Sequence, residues 1–201
     1  VRWQVAPSSP RLWAKSADGN HTVQLQQDAL FANWEYGPNQ RGLYLNYADR
    51  RADFGEKLHS LDRFLSRRGF GRVQPTSCFV TYVNHVESDA AASSSSSLQR
   101  VLTFWKSETS DDWLPPLESL TAKLSFAMPD KLGRLHVDIA PGVRHADKKH
   151  IIRLDLMARG TPGEGTIDSA LAWLDMGHEW IVRGFTSVTH REMHGLWERE
   201  S

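Results

Sequence analysis

Apolar residues recur along this chain at two spacings, and each stretch of one spacing predicts one element. In the first third, Val23 and Leu25 alternate with Gln24 and Gln26. Leu30, Ala32, Trp34 and Tyr36 then alternate with Phe31, Asn33 and Glu35. A period of two predicts a hairpin, His21 to Gln26 and Leu30 to Tyr36, turning through Gln27-Asp28-Ala29. Val1 to Val5 reads as a strand, and Leu43, Leu45 and Tyr47 as a further short one. The spacing then changes. Phe54, Leu58, Leu61 and Leu65 form one helical stripe, which predicts a helix from Asp53 to Arg68. Asp53 with Glu56 offers a box-like start, and Gly69 suits the position just past the end.

A strand from Thr76 to Val86 follows, with Cys78, Val80, Tyr82 and Val86 on one face and Asn84 as its polar exception. A short helix is expected from Leu98 to Trp105, then a Pro-containing loop from Asp111 to Pro116. Three alternating segments come next. Leu120, Ala122, Leu124, Phe126 and Met128 share a face, as do Leu135, Val137 and Ile139, and then Ile152, Leu154, Leu156 and Ala158. Pro129 to Gly133 supplies the first turn and Pro141 to Lys149 the second. The pattern is an antiparallel meander with one buried and one polar face. After Gly160-Thr161-Pro162-Gly163-Glu164-Gly165 the longest helix begins, capped by Thr166. Its packing stripe is Ile167, Leu171, Leu174, His178, Ile181 and Phe185. Thr189 with Glu192 starts a short terminal helix carrying Met193, Leu196 and Trp197.

Composition changes this picture in few places. At 201 residues, with 40% hydrophobic and 24% charged, the chain has enough apolar material for a core. Ser88 to Ser97 is low in complexity and is expected to be a flexible surface loop inside a single domain spanning 1–201. Twenty-four basic residues balance 24 acidic ones, which argues against a general phosphate-backbone binder and so against nucleic acid. One cysteine, Cys78, excludes an internal disulfide framework and suits a reducing compartment, so a cytoplasmic location is expected. No segment approaches the ~20 apolar residues of a membrane span, and Val1 to Val5 lacks the core of a signal peptide. Because the first residue is Val1 rather than Met, the chain reads as trimmed or as a fragment.

The C-terminal third carries a resemblance. Leu174-Asp175-Met176-Gly177-His178-Glu179-Trp180-Ile181-Val182-Arg183-Gly184-Phe185 is followed by Thr189 and by Met193-His194-Gly195-Leu196-Trp197. Upstream, Val23 to Gln26, Phe31 to Trp34 and Thr81 to Asn84 fit the same pattern. Together they resemble a sporadically distributed family of uncharacterised bacterial and archaeal proteins of about this size. The resemblance implies no known activity and no cofactor. Its patchy distribution associates the family with genes that travel, as defence and toxin–antitoxin genes do.

Candidate chemistry is sparse. His178 lies on the apolar stripe of the long helix beside Glu179 and Asp175. It can be read as a general base or, more simply, as a buried histidine bonded to sheet backbone or to a Tyr or Asn. Asp175, Glu179 and Arg183, four apart, form a solvated charge row. His190 and His194 share the four-residue spacing of metal ligands, but Arg191 stands where a metalloprotease needs Glu, so no metal site is assigned. The glycine-rich turn before the long helix fits neither phosphate fingerprint and reads as a tight turn. Eight tryptophans can bulk out a core or line a pocket or interface.

The polar face of the meander holds the most. The favoured register places Asp138 between Lys123 and Arg153, and His136 between Ser125 and Asp155. Serine, histidine and aspartate on flat adjacent strands lack an oxyanion hole and a nucleophile elbow, so opposite-charge pairing accounts for them. With Arg134 and Arg159 they form a candidate partner-binding surface.

The expected architecture is α+β: one antiparallel sheet of about six or seven strands with two long helices on one face. The expected function is non-catalytic binding, with another protein (the product of a neighbouring gene) or a second copy as partner, accessory to a defence or toxin–antitoxin module. A helix-grip binder of small apolar ligands and an enzyme centred on His178 are the alternatives.

Overall fold

The computed structural model describes residues 10–35, 46–87, 95–106, 119–145 and 147–196. The expected strand at Val1 to Val5, the loop from Asp111 to Pro116 and most of the serine-rich segment lie outside them. The chain divides into two compact units, Val1–Val73 and Gln74–Ser201. It is α+β with antiparallel sheets, but the strands form a three-stranded and a four-stranded sheet rather than one of six or seven.

In the first unit β1 (Leu12–Lys15), β2 (His21–Leu25) and β3 (Leu30–Trp34) pair in sequence order. The hairpin is the expected one: Leu25 pairs with Leu30, and Gln26 N–H donates to the Ala29 carbonyl at 2.8 Å. β1 carries no alternating signal, since all four of its residues are exposed. Helix α1 (Tyr47–Arg67) starts six residues before Asp53 because Asn46 caps it, accepting from Asp49 N–H at 3.0 Å. Tyr47 therefore belongs to the helix and not to a strand, and Asp53 sits inside it, paired with Lys57. The buried positions of α1 are Gly55, Leu58 and Asp62, while Phe54, Leu61 and Leu65 of the expected stripe are half-buried. Arg50 ties α1 to the sheet: its guanidinium lies 5.5 Å from the centre of the Trp34 ring and 3.2 Å from His21 Nδ1.

Asp62 fastens the segment that follows α1. It is 5% exposed, and it accepts from Val73 N–H at 2.8 Å and from Arg72 Nε at 3.0 Å. The Val73 N–H and then Arg72 hold its carboxyl below the ordinary value of 3.8. A depressed carboxyl stabilises the fold above its unfolded value, and that contribution is lost as pH falls through the folded one. Acid titration of the far-ultraviolet circular dichroism from about pH 6 to about pH 2 should thus be shallower in Asp62→Asn than in wild type, with the variant less stable at neutral pH. An identical acid slope in both proteins would refute the pairing.

In the second unit β4 (Cys78–Glu87), β5 (Ala122–Ala127), β6 (Gly133–Val143) and β7 (His150–Gly160) make a sheet of order β4-β7-β6-β5. The predicted meander is present, extended by β4 on the far side of β7. Helix α3 (Ile167–Val188) packs on β4, β7 and β6; α1, expected beside it, belongs to the other unit. Thr166 caps α3 as anticipated, accepting from Ser169 N–H at 3.2 Å. The buried residues of α3 are Ile167, Ala170, Leu171, Trp173, Gly177, Ile181 and Val188. Ile167, Leu171 and Ile181 of the expected stripe are among them, but the helix is turned toward Ala170, Trp173 and Gly177, so Leu174, His178 and Phe185 sit at its half-buried edge. Small residues explain the rotation. A Cβ on Gly177 would stand 3.4 Å from the Ala158 Cβ, and one on Gly184 only 2.4 Å from Leu135 Cδ2, so the helix descends onto the sheet along its glycines.

Beneath α3 lie Leu135, Val137, Ile139, Ile152, Leu154, Leu156 and Ala158, all buried. On β5, an edge strand, Leu124 is only half-buried and Phe126 is 42% exposed, contrary to the core positions expected for them. Helix α2 (Ser95–Val101) begins inside the serine-rich segment and ends four residues before Trp105. Leu102 then bridges to Thr189, and α4 (Arg191–Leu196) follows. Asn84, the polar exception on β4, donates to the Leu154 carbonyl at 3.1 Å. Among the described residues no helix is long and apolar enough to cross a membrane.

Cys78 opens β4 with 8% exposure, and burial pushes its thiol up to about 11. From an ordinary 9.0, that lowers the thiolate fraction roughly a hundredfold. A disulfide reagent should label the native protein about a hundred times more slowly than the urea-unfolded chain. Equal rates would place the thiol outside the core.

Candidate functional site

The face of the four-stranded sheet turned away from α3 carries every residue of the candidate surface. Its rows follow from the strand register. Phe79, Arg159, Arg134 and Ala127 lie side by side in one row; Thr81, Met157, His136 and Ser125 form the next, and Val83, Asp155, Asp138 and Lys123 the third. Lys123 opposite Asp138 and Ser125 opposite His136 are as predicted. The β6–β7 register differs by two residues: Asp138 faces Asp155, His136 faces Met157, and Arg153 faces Ala140.

The hairpin connection is built accordingly. Pro141, Gly142 and Val143, expected in a loop, continue β6, and the turn closes with Arg144 N–H donating to the Lys149 carbonyl at 2.9 Å. Arg144 pairs with Asp147 and with Glu87 (2.5 Å to the latter), and Lys149 Nζ reaches Glu87 at 2.8 Å. These contacts join the turn to the end of β4. A shift of two keeps each side chain on its own face, so burial is unaffected while the polar neighbours change. No Ser–His–Asp row results, because Met157 stands where Asp155 was expected.

Charges in the middle of the face are paired. Arg153 Nε donates to Asp155 Oδ1 at 2.9 Å along β7, and Lys123 Nζ lies 3.7 Å from Asp138 Oδ2. This pairing relieves the repulsion between Asp138 and Asp155 across the strands. The end of the face differs. Arg134 and Arg159 face each other across β6 and β7, and neither makes an ion pair with a carboxylate among the described residues. Beside them opens a cleft of about 440 Å³, lined by Ala127, Met128, Lys131, Gly133, Arg134, His136 and Arg159.

One tight turn shapes this cleft. Pro129–Lys131 forms a single 3-10 turn in which Asp130 and Lys131 hold φ angles of 53 and 57°, a region that L-residues seldom enter. Trp173 Nε1 donates to the Leu132 carbonyl at 2.8 Å and ties the turn to α3. A Cβ on Gly133, which has φ 150°, would stand 2.2 Å from the Arg159 carbonyl oxygen, so only glycine lets the turn meet the end of β7. Lys131, Met157 and Phe79 were not among the sequence-derived site residues. Lys131 reads as a turn residue, and Met157 and Phe79 join the row only through the register.

His178 is half-buried and bonded to a tyrosine, one of the contacts expected of it. Its Nδ1 lies 2.9 Å from the Tyr82 hydroxyl, which donates when that nitrogen is unprotonated. Burial lowers its pKa, opposed by Asp175 and then Glu179. Glu179 itself pairs with Arg183 at 2.6 Å, four residues on. His194 makes side-chain contacts, whereas the bond given for His190 is made by its backbone. His194 Nε2 lies 2.8 Å from Thr189 Oγ1 and its ring stacks on Phe185, whereas His190 N–H donates to the Val101 carbonyl. Among the described residues no three His, Cys, Asp or Glu side chains cluster as metal ligands would. The tryptophans divide between roles: Trp173 is 3% exposed in the core and Trp13 is 61% exposed on β1. Compared with known proteins, the chain matches no family model, no curated sequence and no solved structure.

Proposed function

We propose that this chain is a non-catalytic binding protein that docks another protein through the outer face of its four-stranded sheet. The observation that carries this reading is the composition of that face. Phe79 and Val83 are 44% and 52% exposed, next to the opposed Arg134 and Arg159 and to the paired Lys123, Asp138, Arg153 and Asp155. Exposed aromatic and apolar side chains among charges are what an interface uses for affinity and for steering. The close approach of α3 to the sheet at Gly177 and Gly184 speaks for a filled helix–sheet interface rather than for the ligand cavity of a helix-grip protein. The Tyr82–His178 contact speaks for a structural histidine rather than a catalytic one. A cytoplasmic location, a neighbouring gene's product as partner and an accessory role in a defence or toxin–antitoxin module belong to the same proposal, on the strength of the C-terminal resemblance.

The test is calorimetric titration of the partner that co-purifies from the native host. Arg153→Glu and Arg134→Glu should each weaken the complex about tenfold or more and flatten its salt dependence. His178→Gln should leave it intact. Wild-type affinity in both arginine variants would overturn the reading.

A further inference from the structure

We infer that the cleft at the Gly133 end of the sheet binds the phosphate group of a small phosphate monoester. The inference rests on the reading of this face as the binding surface and names the chemistry that one end of it takes. Elsewhere on the described part of the face Lys123 has Asp138 and Arg153 has Asp155, and on the hairpin beside it Arg144 and Lys149 have Glu87. In the cleft, Lys131, Arg134 and Arg159 stand together with His136, and no carboxylate lines it.

Two arginines directly opposite on neighbouring strands repel each other, and here no described carboxylate offsets the repulsion. A dianion between them converts that cost into attraction. Their side chains start about 5 Å apart at the backbone, close enough for both guanidinium forks to meet one tetrahedral group. Lys131 adds a third cation from the turn. That turn is held by Trp173 and by the glycine contact with β7, so the cation arrives at a site already shaped. Asp130, its neighbour in sequence, is absent from the lining. Met128 and Ala127 supply an apolar wall, and the volume exceeds one phosphate group, which leaves space for the esterified part.

Inorganic phosphate is the probe, titrated against the full chain in nitrogen-15 NMR at constant ionic strength set with chloride. Saturable shifts are expected for Gly133, Arg134 and Arg159. Acetate should bind at least about tenfold more weakly, since it carries one charge rather than two. Arg134→Gln with Arg159→Gln should weaken phosphate by about tenfold or more, while Lys123→Gln, on the same face but outside the cleft, should not. Phosphate should also raise the thermal midpoint of wild type more than that of the double variant. A linear, unsaturating response in wild type overturns the site, whatever the stability of the variants, and so does saturation that survives in the double variant. Acetate binding as tightly as phosphate overturns the dianion assignment. No partner protein enters this experiment, so its failure leaves the docking reading standing, and a failed partner titration leaves the anion site standing.

Discussion

Leu156→Ala should destabilise the second unit by roughly 2–5 kcal/mol, the range for truncating a fully buried leucine. Leu156 is 0% exposed at the centre of the sheet, opposite Val137 on one side and Tyr82 on the other. Above it, α3 descends until a Cβ on Gly184 would stand 3.7 Å from its Cδ2. Neither a sheet paired on both sides nor a helix seated on glycines can easily collapse into the space left, so the upper part of the range is expected. Urea melts followed by circular dichroism measure the loss. A value under about 1 kcal/mol would mean that α3 does not cover this position.

Gly160→Ala should cost roughly 3 kcal/mol, at the upper end for overpacking. The added Cβ would lie 1.9 Å from the Leu132 carbonyl oxygen and 2.7 Å from Trp173 Cζ2. The first obstacle is backbone, and the second is a buried ring held by its own hydrogen bond to that same carbonyl. Relief therefore requires the turn or the indole to move, and the Trp173–Leu132 bond goes with either. Gly165→Ala, with nothing within 4 Å of the new atom, is the control and should stay within about 0.5 kcal/mol of wild type. Equal melts for the two variants would show that the turn is not pressed against β7. Because Lys131 stands on this turn, phosphate affinity should fall in Gly160→Ala as well.

These expectations depend unequally on sequence and structure. Alternation over Leu135 to Ile139 and Ile152 to Ala158 marks two core strands, because a residue period of two admits only one buried face. Thr166 marks the start of α3, since its hydroxyl meets the unpaired N–H groups of a first turn in any context. Side-chain membership of the charged face was legible for the same reason, and Lys123 opposite Asp138 followed from a turn bounded by Pro129 and Gly133. The β6–β7 register was not legible. Moving two residues changes no side chain's face, and the pairs that accompany the observed register, Arg144 and Lys149 with Glu87, meet only once β4 is in place. The division into two sheets was equally hidden, because strand periodicity tells which face is buried but not which strands share a ladder. The rotation of α3 came from Gly177 and Gly184, whose lack of side chain is silent in a hydrophobic pattern and decisive for how near a helix can lie. The cleft is the clearest case. Arg134 and Arg159 are 25 positions apart, and only strand pairing places them opposite each other and Lys131 beside them.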